Sequence, residues 1–173
     1  MLFIIGSAEG NMEKTNETLK TVMQKAILEA KRTMNANMGG PFGAAVISKN
    51  GDLIAVASNT VLGDHDPSAH AEINAIRKAC AIKETHDLSD CILVTTAYPC
   101  PMCLGAIIWA NIDSMVYGCR PEDAEAIGFR DDFIYRFIEG GRKDETVVKI
   151  DEAHRDMCKA LFDEYHKKNK TLY

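Results

Sequence analysis

Four side chains of this chain could work together on one bound ion. His70 and Glu72 stand two residues apart, and Cys100 and Cys103 three apart in the run Pro99-Cys100-Pro101-Met102-Cys103. Zinc favours imidazole and thiolate donors, and three protein ligands with a fourth position left to water is a catalytic arrangement rather than a structural one. This chemistry predicts His70, Cys100 and Cys103 as metal ligands around one Zn2+ per subunit. Two thiolates neutralise the ion, and a water on it can have its pKa brought down to roughly 7. Glu72 can reach that water without being a ligand, taking its proton and returning it to a substrate. Neither half of the pattern is specific alone. A Cys-x-x-Cys pair also suits a redox motif or a structural metal clip. The two halves in this order, each leading into a helix, point to hydrolysis.

The elements that must position these groups can be read around them. Cys100 and Cys103 share one face of a first helical turn, whose backbone N–H groups and positive partial charge favour thiolates. Pro101 suits that turn, where its missing N–H costs little. The pattern predicts a helix over about 69–82 behind His70 and an apolar helix ending near Ala110. Apolar residues at Leu19, Val22, Met23, Ala26, Ile27, Ala30 and Met34 form a helical stripe that Gly39-Gly40-Pro41 ends. The runs Ala44–Ile47 and Leu53–Ala57 flank Asn50-Gly51 and read as a β-hairpin. Further strands are expected at Cys91–Thr95 and Ser114–Tyr117. Short helical stretches follow around Asp123 and Asp132, then a terminal helix over about 151–168. Residues 1–13 show no clear pattern. Strands alternating with helices make an α/β sheet covered by helices.

Composition narrows the partners. The net charge of −5 argues against a nucleic-acid partner, because affinity for a phosphate backbone needs a basic footprint. A small-molecule substrate is expected instead. The apolar opening Met1–Ile5 is too short for a signal-peptide core or a membrane span, which predicts a cytoplasmic protein with no membrane partner. With six cysteines and no secretory signal, a disulfide framework is not expected.

His70-Ala71-Glu72 followed by Pro99-Cys100-Pro101-Met102-Cys103 is the zinc deaminase signature. The chain resembles the cytidine deaminase-like superfamily from about Lys14 to Tyr173, and within it the guanine deaminases. The stretches that carry this are Gly39–Ala44, Asp66–Cys80, Pro99–Asn111 and Ala126–Tyr135. The last, around Gly128-Phe129-Arg130-Asp131-Asp132, separates guanine deaminases from the tRNA adenosine deaminases that share the others. The resemblance implies one domain over 1–173, a three-layer α/β/α sandwich with a central five-stranded mixed sheet. It implies a homodimer whose C-terminal segment, about 151–173, crosses to the neighbouring subunit. It implies a purine base held by Phe42 and Asn59, proton transfer assisted by Asp131, and a terminal Tyr173 capping the base. Two positions depart from the family pattern: Tyr98 replaces a glutamate before Pro99, and Arg130 stands where an acidic residue is commoner.

The reaction expected is hydrolytic deamination of guanine to xanthine and ammonia. Glu72 shuttles protons, and the backbone N–H of Ala71 steadies the developing charge as a preorganised donor. The rivals are a tRNA adenosine deaminase, a deaminase of cytosine, guanosine or an amino-triazine, and a structural zinc or redox module with no hydrolytic activity.

Overall fold

A computed structural model describes residues 8–172. The described chain divides after Asp132 into two compact units.

In the first unit the polypeptide runs α1 (Ala8–Asn35), β1 (Gly43–Ser48), β2 (Leu53–Ser58), α2 (Val61–Asp64), α3 (Ala71–Lys83), β3 (Cys91–Ala97), α4 (Pro101–Trp109), β4 (Met115–Cys119) and α5 (Pro121–Ala126). Helix α1 reaches back to Ala8, into the stretch whose sequence shows no apolar stripe. The short α2 is too brief to leave a period in the sequence.

The strands β1 and β2 form the expected hairpin, with a register shift between Val46 and Ile47. Gly51 adopts φ +94° in its turn, a conformation open to glycine at little cost. Strand β1 also pairs antiparallel with β3, and β3 pairs parallel with β4. Side chains alternate across this sheet. Ala44, Val46 and Leu93 pack with Ala71, Ala75, Ile76 and Ile107 of α3 and α4. Ala45, Ile47 and Val94 turn the other way, onto Leu19, Val22 and Met23 of α1. The result is α/β/α layering with the sheet in the middle.

The sheet has four strands among the described residues, in the order β2-β1-β3-β4, not the five expected. After β4 the chain becomes helical. The one later run of β-branched residues, Thr146 to Ile150, is not extended where it begins. The Asp144 carboxylate accepts from the Thr146 backbone N–H (3.0 Å) and hydroxyl (2.6 Å), holding a turn. Val147, Val148 and Ile150 then remain exposed.

The second unit carries α6 (Asp132–Glu139) across its boundary, then α7 (Arg155–Lys167). The terminal helix starts four residues later than the sequence suggests, with His154 in a left-handed conformation just before it. Both helices are amphipathic, and neither buries a residue. Met157, Leu161 and Phe162 of α7 are each at least 65% exposed, a bare apolar stripe. Among the described residues no helix is long and apolar enough to cross a membrane.

Candidate active site

The loop after β2 and the loop after β3 each deliver a helix start to one place. His70 precedes α3 and Cys100 precedes α4, both in extended conformations. A residue in that position usually spends its side chain on the helix's free N–H groups. Neither side chain here makes a capping bond, so both are left for other work. Pro101 opens α4, and Cys103 follows one turn in, fully buried.

His70 Nδ1 lies 3.6 Å from the Sγ of Cys100 and 3.6 Å from that of Cys103, and the two sulfurs are 3.6 Å apart. This is an equilateral triangle of donors. A tetrahedral zinc, with bonds of about 2.3 Å to sulfur and about 2.0–2.1 Å to nitrogen, sets its donors about 3.5–3.8 Å apart. The three residues fit that ion. The sulfur separation is far beyond a disulfide bond of about 2.05 Å. The cluster holds three donors and no fourth protein ligand among the described residues, which disfavours the structural-clip reading.

Charge is distributed accordingly. The Cys100 thiol is pulled down to about 4 by its contact with the Cys103 sulfur, with His70 and the Cys103 backbone N–H adding to it. Cys103 moves the other way, because the neighbouring sulfur and burial both hold its proton on. His70 is raised, chiefly through its bond to Cys100. Glu72 is 5% exposed, and burial lifts its carboxyl above the ordinary range. Its Oε2 lies 3.5 Å from Cys103 Sγ, so the carboxylate borders the triangle. Asp131 is raised by burial and by the charge of Cys100, and its own charge acts on His70, so it lies within the field of the centre.

The remaining expected site residues are placed as follows. Ala71 is fully buried at the first position of α3. Phe42 meets Phe129 edge-to-face with ring centroids 4.9 Å apart. Asn59 is buried, and its Oδ1 accepts the backbone N–H of Gly40 and of Val61, each at 3.2 Å. Its amide orientation is thereby fixed, with Oδ1 committed to backbone N–H groups. Tyr98 packs edge-to-face on Tyr117 at 5.1 Å, a use of its ring that a glutamate would not have. Arg130 pairs with Glu125 and Asp132. Tyr173 lies outside the described residues.

Two polar residues that motif reading passes over belong to the surroundings of the site. Thr95, fully buried in β3, donates its hydroxyl to Glu72 Oε1 at 2.8 Å. Asn74 donates to the carbonyls of Ser58 (3.0 Å) and Ala69 (3.3 Å) and to the Thr60 hydroxyl (2.9 Å). It thus ties the end of β2 to the residue before His70. A polar residue inside an otherwise apolar strand or helix face is the signal that could have found each.

Residues 16–119 match the family model described as the cytidine and deoxycytidylate deaminase zinc-binding region. The chain belongs to this deaminase family. The matched region spans His70, Glu72, Cys100 and Cys103, and the donor triangle fits the zinc that such a region binds. The deaminase is 44% identical over 128 residues to the guanine deaminase of Bacillus subtilis (strain 168), covering 74% of this chain and 81% of that protein. An X-ray structure of guanine deaminase from Bacillus subtilis superposes with a TM-score of 0.81 and 38% identity, over 89% of this chain and 98% of that one. A mutant protein solved in complex with 8-azaguanine is 41% identical, with a TM-score of 0.62 over 65% of this chain and 64% of that one. The architecture around the site is that of a zinc-dependent deaminase.

Proposed function

We propose that this deaminase converts guanine and water to xanthine and ammonia. The observation that carries this reading is the donor triangle of His70, Cys100 and Cys103 with the Glu72 carboxylate on its border, in a chain so similar to guanine deaminases. Bound zinc, one ion per subunit, supplies the Lewis acid that makes a water nucleophilic near neutral pH.

This chain's residues supply the rest. Glu72 takes a proton from the attacking water and delivers it to a ring nitrogen of guanine as oxygen bonds to carbon 2. It then carries a second proton to the amino group, the bond from carbon 2 to nitrogen breaks, and ammonia departs. Burial raises this carboxyl above its ordinary range, which favours its taking up a proton. Asp131, also raised, assists at the departing amino group. The backbone N–H of Ala71 faces the developing negative charge. Phe42 walls the flat face of the base. Asn59, with its oxygen committed to backbone N–H groups, offers only donors, which suits the carbonyl and ring acceptors of guanine. The net charge of −5 supports a free base over tRNA.

The working unit in this reading is a homodimer in the cytoplasm. The bare apolar stripe of α7 supports the dimer, because such a stripe is covered in most proteins. The C-terminal segment then reaches the neighbouring subunit, where Tyr173 caps the bound base. The six free thiols support a reducing compartment.

The test is ammonia release by the zinc-loaded protein from guanine, guanosine, cytosine, adenine and an adenosine-containing anticodon stem-loop. Release from guanine alone is expected. Activity on cytosine or the RNA with guanine inert would overturn the substrate while leaving the zinc chemistry in place.

A further inference from the structure

We propose that Thr95 is a positioning residue for the proton carrier: its hydroxyl fixes one oxygen of Glu72 so that the other faces the reacting groups. The inference rests on the reading of Glu72 given above.

Thr95 sits near the end of β3, an inner strand, with Ala44 of β1 on one side and Tyr117 of β4 on the other. Leu93, two residues earlier, faces α3, and Val94 faces α1. Alternation therefore turns Thr95 toward α3, where Glu72 lies. A β-branched side chain on a paired strand has little freedom at χ1. Its hydroxyl is a fixed post rather than a mobile arm.

That hydroxyl has one proton and two acceptors in reach. Glu72 Oε1 is 2.8 Å away and the Gly43 carbonyl 3.4 Å. The shorter bond, to the carboxylate, is much the stronger. Anchoring Oε1 leaves Oε2 as the oxygen beside the donor triangle, 3.5 Å from Cys103 Sγ. The torsion that rotates a glutamate carboxylate is otherwise broad and nearly two-fold. Without the anchor, Glu72 would spend much of its time with neither oxygen aimed at the reacting atoms. A general acid–base group gains its effect from being held in place before the reaction begins. No other side-chain hydroxyl or N–H bonds the Glu72 carboxylate among the described residues; the backbone N–H of Glu72 itself and the Cys103 thiol are its remaining partners.

The experiment uses the zinc-loaded full chain and the variants Thr95→Val, Thr95→Ser, Glu72→Gln and the Val/Gln double variant. Zinc content and thermal midpoint are measured for each, then kcat and KM for guanine. Thr95→Val keeps the shape and removes the hydroxyl, and should lower kcat about 10–100-fold, the usual cost of losing such a support, with KM and zinc content little changed. Thr95→Ser keeps the hydroxyl and should retain most of kcat. The double variant should be no slower than Glu72→Gln alone, because Thr95 acts only through that carboxylate. In crystals of the Val variant the carboxylate should leave its position beside Cys103.

Native-like kcat in Thr95→Val, equal loss in the Ser variant, or a further loss in the double variant would each overturn the role of Thr95. The function proposed above would survive all three. Native-like turnover in Glu72→Gln, or no ammonia from guanine with the native chain, would overturn that underlying reading instead. Should the Val variant fail to fold, Thr95→Ala carries the same comparison.

Discussion

His70 Nδ1 and Cys100 Sγ lie 3.6 Å apart although thirty residues separate them in the chain. Each belongs to the residue just before a helix, and α3 and α4 are aligned by packing on the same face of the sheet. The contact is thus set by the core. It also sets the charge state of the centre, since the sulfur of Cys100 draws on both neighbours for stabilisation.

Zinc affinity should fall as pH falls, in two regimes. Cys100, held low by the neighbouring Cys103 sulfur and by His70, is the first of the two thiols to ionise. Cys103, raised by its neighbour and by burial, must release a proton when zinc binds. His70 is raised above its ordinary value of 6.5, so below its pKa a second proton is displaced. Each displaced proton makes affinity change about tenfold per pH unit. Competition against a chromophoric chelator should therefore show a slope near one on the alkaline side, steepening toward two on the acid side. An affinity flat with pH would mean that both thiols are already ionised in the free protein.

Glu72→Gln should separate stability from catalysis. Burial raises the folded-state pKa of Glu72 above its ordinary 4.5. Between 4.5 and that raised value the folded chain binds more protons than the unfolded one, so stability falls as pH rises through the window. Glutamine mimics the protonated form at every pH. Without zinc, the variant should melt above the native protein at about pH 8, and the gap should close as pH falls toward the unfolded value. With zinc, it should keep the ion and lose turnover by about 10²–10⁴-fold. Equal melting curves at alkaline pH would show that the carboxylate is not penalised by burial.

Asn74→Ala should weaken zinc binding without touching a ligand. Its amide donates to the Ser58 and Ala69 carbonyls and to the Thr60 hydroxyl, joining the loop that carries Asn59 to the one that carries His70. Leaving those acceptors unmatched should cost about 1–3 kcal/mol of stability. Chemical unfolding checks the loss of stability, and the chelator competition checks the loss of zinc affinity. Full zinc affinity in a destabilised variant would show that His70 is held by other contacts.

The parts of the site that the sequence makes legible are those with fixed local spacing. Cys100 and Cys103 fall on one helical turn whatever else the chain does, and Pro101 marks where that turn begins. The hairpin is equally local, announced by Asn50-Gly51 and realised with Gly51 at positive φ. Thr95 and Asn74 were not legible, because their partners lie 23 and 16 residues away in the chain. Only a folded sheet shows which face of β3 looks at Glu72. The fifth strand was expected by resemblance, yet the segment around Thr146 obeys a local competitor. The Asp144 side chain offers its backbone a turn, and extended pairing loses.

Gly39→Ala should damage substrate binding and spare the metal. A Cβ at Gly39 would fall 2.3 Å from Asn59 Oδ1 and 2.5 Å from the Asn59 carbonyl oxygen. The backbone oxygen cannot retreat, since the Asn59 N–H is bonded to the Phe42 carbonyl at 2.9 Å. The Gly39 loop must therefore move away from Asn59, at some cost in stability, and the carboxamide gives up the Gly40 and Val61 bonds that fix its orientation. If Asn59 presents its donors to the base, losing that contact should raise KM for guanine about tenfold, the worth of one hydrogen bond, with kcat changed much less. Gly43→Ala is the useful contrast. Its Cβ would meet the Ala26 carbonyl of α1 at 2.1 Å, forcing α1 away from β1, so that variant should lose stability rather than affinity. An unchanged KM in a folded, zinc-replete Gly39→Ala protein would remove Asn59 from the substrate site.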